Sequence, residues 1–241
     1  MSAPRVEVHA DDRALATAVA GELLGRLAVV QSAGGVPDIV LTGGTIADAV
    51  HRELARLSGS SDVDWSRVAI WWGDERFVPR DDPERNAGQA RAAFLHAVGV
   101  DPARVHEMPS TDDVANVDEG AEAYSQEVRE HGSGDFEIVM LGIGPDGHIA
   151  SLFPGHPALD VDDRIAVGVT GSPKPPPERI SLTFPALNRA RSVWFLVSGE
   201  AKAKAVARAL GGVDRHEIPA AGVGGQEETI WFLDRASSSA L

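Results

Sequence analysis

Short apolar runs that break straight into glycine recur along this chain, and they restrict the folds open to it. Residues 39–41 run into Thr42-Gly43-Gly44-Thr45, 68–72 into Gly73-Asp74-Glu75-Arg76, 137–143 into Gly144-Pro145-Asp146-Gly147-His148, and 193–198 into Gly199. Segments of helical period lie between them, over 46–57, 87–98, 115–130 and 201–210. Strands that are apolar throughout, rather than alternating, belong to sheets covered on both faces. Strand-helix alternation then predicts one α/β domain, a single doubly wound and mainly parallel sheet of Rossmann-like type with helices on both faces. Further strands are expected at Arg5–His9, 105–108, 165–169, 180–183 and 229–233. In such sheets ligands bind beyond the carboxyl ends of the strands, where every one of these glycine turns falls.

No composition break or repeat divides the 241 residues, so one domain is expected over 1–236, with 237–241 as a frayed tail. Residues 15–30 carry Leu15, Val19, Leu23, Leu27 and Val30 at three- and four-residue spacing, with Asp11 or Asp12 as N-cap. That segment reads as an amphipathic helix rather than a leader or membrane span, and the expectation is a soluble, cytoplasmic protein. The chain contains no cysteine, which removes disulfide scaffolds, thiolate catalysis and Cys-based metal sites together. Its 36 acids against 22 bases leave a formal charge of −14, a field that repels nucleic acid and anionic membranes. Only three of the bases are lysines, Lys174, Lys202 and Lys204. An anionic ligand would need a local exception to the global field.

Four motifs carry candidate chemistry. Gly43, Gly44 and Thr45 end a strand and open a helix, so free backbone N–H groups and the helix terminus could hold a phosphate without a lysine. The same pattern suits a plain strand–helix turn, and the Gly-Lys-Ser/Thr ending of a P-loop is missing. In Trp71-Trp72-Gly73-Asp74-Glu75-Arg76, Arg76 could fork onto a phosphate and Asp74 could orient a sugar hydroxyl. Those charges could equally form a solvated ion pair, and the tryptophans suit the core. The third motif, running from Gly142 to Gly147, matches Gly-x-Gly-x-x-Gly, but Pro145 and Asp146-Gly147 make a turn where a dinucleotide site opens a helix. Its useful content is Asp146-x-His148, a titratable imidazole beside a carboxylate, the composition of a general base with an orienting acid. His156, eight residues on, makes a metal pair conceivable, but the chain has no cysteine and no His-x-x-x-His helix to build a metal site. In the fourth motif, after Gly199, Lys202 stands in a first helical turn and can reach inward, whereas Lys204 suits a solvated face. Arg179 precedes a strand, after prolines over 172–177 that stiffen a loop. A Gly-x-Ser-x-Gly elbow is missing.

Taken in order, Leu41-Thr-Gly-Gly-Thr45, Trp72-Gly-Asp-Glu-Arg76, Asn86, Leu141-Gly-Ile-Gly-Pro-Asp-Gly-His148 with Ser151-Leu-Phe-Pro154, Arg179-Ile-Ser-Leu-Thr183 and Gly199-Glu-Ala-Lys202-Ala resemble the 6-phosphogluconolactonases. Glucosamine-6-phosphate deaminases are similar in layout but carry an acid five residues after the histidine, where this chain has Phe153. They also tend to an aromatic where it has Arg76. The resemblance implies hydrolysis of 6-phosphoglucono-δ-lactone to 6-phosphogluconate in the oxidative pentose phosphate pathway. His148 would be the base and Asp146 its orienting acid. Gly43, Gly44, Thr45, Asp74, Arg76, Arg179 and Lys202 would bind the sugar phosphate. It implies no cofactor, metal or covalent intermediate, a small phosphosugar lactone as the one partner, and nothing on oligomeric state. The rivals are an amino-sugar-phosphate deaminase or isomerase, a non-catalytic sugar-phosphate sensor, and a nicotinamide-dependent oxidoreductase resting on the glycines from 142 to 147.

Overall fold

The computed structural model describes residues 3–241. The chain opens with β1 (Arg5–His9) and α1 (Asp12–Ser32). Asp11 caps α1, its carboxylate accepting the Ala14 N–H at 2.8 Å, as expected for an acid just before an apolar helical run. Leu15, Ala16, Val19, Ala20, Leu23, Leu24 and Leu27 form the buried stripe of α1. By length and composition alone α1 is apolar enough to cross a membrane, whereas the sequence reading makes the segment an amphipathic helix. In the fold its apolar stripe packs into the core shared with α2 (Thr45–Ser58).

β2 (Asp38–Leu41), β3 (Ala69–Trp72), β5 (Ile138–Leu141), β8 (Ser192–Val197) and β9 (Glu228–Asp234) join β1 in one six-stranded parallel sheet, ordered β1-β9-β8-β5-β2-β3. β2, β3, β5 and β8 are buried at every position, which explains the apolar runs that follow Asp38 in β2 and Ser192 in β8 and fill β3 and β5. One face packs on α1, α2 and Phe94, and the other on a second core that includes Tyr124 and Val206. Tyr124 belongs to α5 (Val117–His131) and Val206 to α7 (Ala203–Leu210). The α/β class and the parallel sheet with helices on both faces match the expectation.

Several details differ from it. Asp74–Arg76 is a short strand, β4, rather than a loop. It pairs antiparallel with β7 (Arg179–Leu182), which pairs with β6 (Ala166–Val169), forming a separate three-stranded sheet. The segments at 165–169 and 180–183 therefore stay out of the main sheet. The expected strand at 105–108 is a single bridge from Val105 to Ile70. The expected helix over 87–98 is α3 (Asn86–Ala90), a π turn over Arg91–Leu95, then α4 (His96–Val98) ending at the left-handed Gly99. The turn Phe184–Leu187 is α6. The tail is not frayed from 237 onward. Ser237 is fully buried, donating to Val197 O at 2.9 Å, and its N–H reaches the Asp234 carboxylate at 2.7 Å, so it closes the end of β9.

From β2 the chain moves outward to β3, then returns to β5 on the other side of β2. This reversal opens a crevice at the carboxyl ends of β2 and β5, where ligands of such sheets bind.

Candidate active site

That crevice is a cleft of about 270 Å³. Its walls include Thr42, Gly43, Gly44 and Thr45 after β2, and Gly142, Gly144, Pro145 and His148 after β5. Asp74 and Arg76 from β4, Arg179 from β7, and Lys202 before α7 complete it. Of the expected site residues, only Asp146 does not itself line the cleft, and it touches His148, which does.

Gly44 (φ 100°) turns the chain into α2 and supplies no side-chain cap, so the first N–H groups of that helix stay open toward the cleft. Gly43 is needed for a different reason. A Cβ there would lie 1.9 Å from Asn86 Oδ1. The Asn86 carboxamide fills that space, Nδ2 donating to Asp74 O at 2.9 Å while Oδ1 accepts from Arg76 Nη1 at 2.8 Å. Glu84 O takes a second bond from Arg76 Nη1. Arg76 is thus aimed by its neighbours, and its Nε, shielded from solvent, has no protein partner.

Behind Arg76, the carboxylate of Glu75 is 1% exposed and accepts three backbone N–H groups. These come from Arg76 (2.9 Å), Asn86 (2.8 Å) and Ala87 (2.9 Å). Burial pushes the Glu75 pKa up, and nearby Arg85 with these three donors pulls against it. Arg85, itself buried, donates to Met108 O. Asp74 accepts from the buried Ser151 Oγ at 2.7 Å and has no cation within 4.0 Å among the described residues. A carboxylate held by one donor in a cleft wall can accept a further hydroxyl.

The turn after β5 carries the expected His148–Asp146 pair. His148 Nδ1 lies 2.5 Å from Asp146 Oδ1, and the imidazole packs on Phe153 with ring centroids 4.7 Å apart. With Nδ1 engaged by the carboxylate, Nε2 is the nitrogen left to accept a proton. Gly144 makes room for the pair, since a Cβ there would stand 2.0 Å from His148 Nδ1 and 2.3 Å from Asp146 Oδ1. Gly147 (φ 88°) closes the turn, its N–H on Gly144 O at 2.9 Å, and no helix begins there. The dinucleotide geometry is therefore lacking. Partial burial raises the Asp146 carboxyl, but the hydrogen bond and charge of His148, with help from Lys174, bring it down to about 2.

His156 does not join the cleft. Its Nδ1 accepts from Ala158 N at 3.1 Å and its Nε2 faces Thr170 O at 3.0 Å, so it caps a turn. Among the described residues no group of three His, Asp or Glu is placed to hold a metal ion.

The cations divide unevenly. Lys202 is half-buried, and burial together with the charge of Lys174 pushes its pKa down, against Asp234. Asp234 is anchored by Ser198 Oγ (2.6 Å) and the Gly199 N–H (3.1 Å), which fixes the turn carrying Lys202. Lys204 is exposed and outside the cleft. Arg179 is 5% exposed and spends Nε and Nη2 on carbonyls of the proline loop, which leaves Nη1 for a ligand. The sequence reading missed three residues as members of the site. Asn86 and Ser151 lie within motifs it quoted, and Lys174 lies in a loop where only the scarcity of lysine could have marked it.

Residues 10–231 match the family described as Glucosamine-6-phosphate isomerases/6-phosphogluconolactonase. The chain is 45% identical to a 6-phosphogluconolactonase of Streptomyces coelicolor, over 99% of this chain and 95% of that one. It is 44% identical to that of Mycobacterium tuberculosis, over 98% of both. Among solved structures, 6-phosphogluconolactonase from Thermotoga maritima superposes with a TM-score of 0.85 at 25% identity, covering 96% of this chain and all of that one. A monomeric glucosamine-6-phosphate deaminase shares the fold at TM-score 0.82 and 20% identity. By the extent of the match and the identity to these relatives, the chain belongs to the glucosamine-6-phosphate isomerase/6-phosphogluconolactonase family.

Proposed function

We propose that this chain hydrolyses 6-phosphoglucono-δ-lactone to 6-phosphogluconate, with His148 as general base. The observation that carries the reading is the His148–Asp146 pair at the wall of a cleft lined by Arg76, Arg179 and Lys202. The relatives at 42–45% identity all bear the lactonase name. Phe153, not an acid, lies against the imidazole, which speaks for the lactonase over the deaminase.

Nδ1–H donates to Asp146, so Nε2 takes a proton from a water molecule as it attacks the lactone carbonyl. Asp146 stays ionised and stabilises the imidazolium that forms. The tetrahedral oxyanion then collapses, the bond to the ring oxygen breaks, and the imidazolium returns its proton to that oxygen. The lactone is already activated, so the steps balance without a covalent enzyme intermediate. The open N–H groups at the start of α2 and the free edges of Arg76 and Arg179 hold the anionic groups in place, while Asp74 accepts a sugar hydroxyl.

The test is a coupled assay with freshly generated lactone, corrected for spontaneous hydrolysis. The protein should accelerate ring opening, and His148→Ala should cost at least ~100-fold in kcat. Near wild-type turnover in that variant would remove His148 from the role. Ammonia release from glucosamine-6-phosphate without lactone hydrolysis would replace the reading with the deaminase.

A further inference from the structure

Two segments flank the turn that carries His148, and one histidine outside the cleft ties them together. Phe153 packs on the His148 imidazole. Ile218, which is buried, presses on Gly147, where a Cβ would stand 2.7 Å from Ile218 Cδ1. The Ala220 N–H donates to Gly147 O at 3.1 Å and pins the segment 214–220 to the turn. Gly155, two residues past Phe153, donates its N–H to His216 O at 2.9 Å, so the two segments also meet each other.

The His216 side chain adds a longer link. Its Nδ1 lies 2.8 Å from Asp214 Oδ1, and its Nε2 lies 2.8 Å from Asp160 Oδ1. Asp160 is 56 positions away, at the end of the turn Pro157–Asp160. A neutral imidazole has one N–H, so it can donate to one of these carboxylates only, and its bare nitrogen would face the other. The arrangement therefore needs both nitrogens protonated. Among the described residues Asp160 and Asp214 are the charged groups that bear on the ring, with Arg215 acting on Asp214. Glu217, the next acid, is turned to Arg208 of α7 at 2.6 Å. The hydrogen bonds to Asp160 and then Asp214 push the His216 pKa up. Asp214 also accepts the His216 backbone N–H at 2.8 Å within its own turn. Loss of the second proton thus opens the bond to Asp160 and leaves the local one.

We propose that His216 is a positioning residue: as an imidazolium it bridges Asp214 to Asp160 and keeps the Phe153 and Ile218 segments closed around the His148 turn. The proposal rests on the lactonase reading and goes beyond it, since His216 lies outside the cleft. An exposed ion pair by itself contributes little. This one differs in what it joins, because each end belongs to a segment that touches the His148 turn. Opening the bridge on the alkaline side loosens the packing that seats the imidazole, and turnover falls there with substrate binding unchanged.

The test compares wild type with His216→Gln, Asp160→Asn, the double variant and His216→Arg across pH in the lactone assay, beside amide hydrogen exchange. The ratio of wild-type to His216→Gln kcat should be about 2- to 5-fold below pH 6.5 and fall toward one as pH rises past the raised pKa of His216. The titration of His148 is common to both proteins and cancels in the ratio. Asp160→Asn should match His216→Gln, and the double variant should be no worse than either. His216→Arg, whose charge does not titrate, should carry the low-pH activity of wild type into the alkaline range. At about pH 6 the Ala220 and Gly155 amides should exchange several-fold faster in both single variants than in wild type. A pH-independent ratio, or an Asp160→Asn enzyme indistinguishable from wild type, would overturn the proposal and make His216 a cap of its own turn. If wild type hydrolyses no lactone, the lactonase reading fails. Faster exchange at the two amides in both variants would then still support the bridge, and unchanged exchange would overturn it.

Discussion

Gly144→Ala isolates the acid–base pair from everything around it. Gly144 is not among the residues of positive φ, so alanine fits its backbone without strain. What the new methyl meets is the pair itself, at 2.0 Å from His148 Nδ1, 2.1 Å from His148 Cε1 and 2.3 Å from Asp146 Oδ1. To reach ordinary van der Waals contact the imidazole must retreat by about 1.4 Å. Phe153 packs against the ring with centroids 4.7 Å apart, so the imidazole cannot retreat into the space that Phe153 fills. Asp146 is 39% exposed and can swing outward, which breaks the 2.5 Å bond between the two. Misplacement of a reacting group by about 1 Å costs on the order of 10²-fold in rate. Stability should fall by only about 1 kcal/mol, because Asp146 has solvent to move into. The expected result is kcat lowered about 100-fold, KM within about threefold and nearly unchanged thermal unfolding. Turnover within threefold of wild type would refute the claim that this glycine exists to seat the pair.

Asp146→Asn keeps an acceptor beside Nδ1 but removes the charge, and should lower kcat about 10- to 100-fold, the worth of one charge-assisted hydrogen bond. Asp146 has its pKa depressed from 3.8 to about 2, so its contribution to stability is complete above pH 4 and is lost as pH falls toward 2. The difference in Tm between wild type and Asp146→Asn should therefore be flat above pH 4 and shrink below it; a difference that grows on acidification would contradict the pairing. Lys202→Ala should raise KM about 10-fold and Lys204→Ala by less than twofold, since of these two only Lys202 lines the cleft. Glu75→Ala strands three backbone N–H groups and the buried Arg85, and should cost about 3–5 kcal/mol in chemical denaturation. A loss under 1 kcal/mol would mean that the segment is held by other contacts.

The parallel sheet was readable because its strands are buried on both faces and so carry no polar alternation. Position on the sheet edge was readable too, since Gly43, Gly144 and Gly199 each end a strand that the apolar runs had already marked. The small antiparallel sheet was not. Asp74–Arg76 is three residues of charge, and it becomes a strand because β7 pairs with it from more than a hundred residues away. Separation in sequence also hid the cost of Gly43, whose missing Cβ answers to Asn86 on another element. Arg179 was read as a cation for the ligand, and most of its guanidinium instead fastens a loop, a duty that depends on where three carbonyls come to rest.

The charge balance also bears on how the cleft empties. Opening a 6-phosphoglucono-lactone leaves its phosphate and adds a carboxylate, so the product carries one more negative charge than the substrate. Arg76, Arg179, Lys174 and Lys202 are the cations lining the cleft among the described residues, and the loop clamp and the Asn86 bond already engage Arg179 and Arg76. In the proposed mechanism the new carboxylate forms near Asp146, which stays ionised, in a chain of net charge −14. Repulsion at that end works against the attraction at the phosphate end, and it is felt by product and not by substrate. Such a differential term favours turnover rather than tight binding of either species. It is screened by salt, with a Debye length of about 8 Å at physiological ionic strength. Product inhibition by 6-phosphogluconate should therefore be weaker than the substrate's KM alone implies, and Asp146→Asn should strengthen it; an unchanged inhibition constant in that variant would remove Asp146 from the argument.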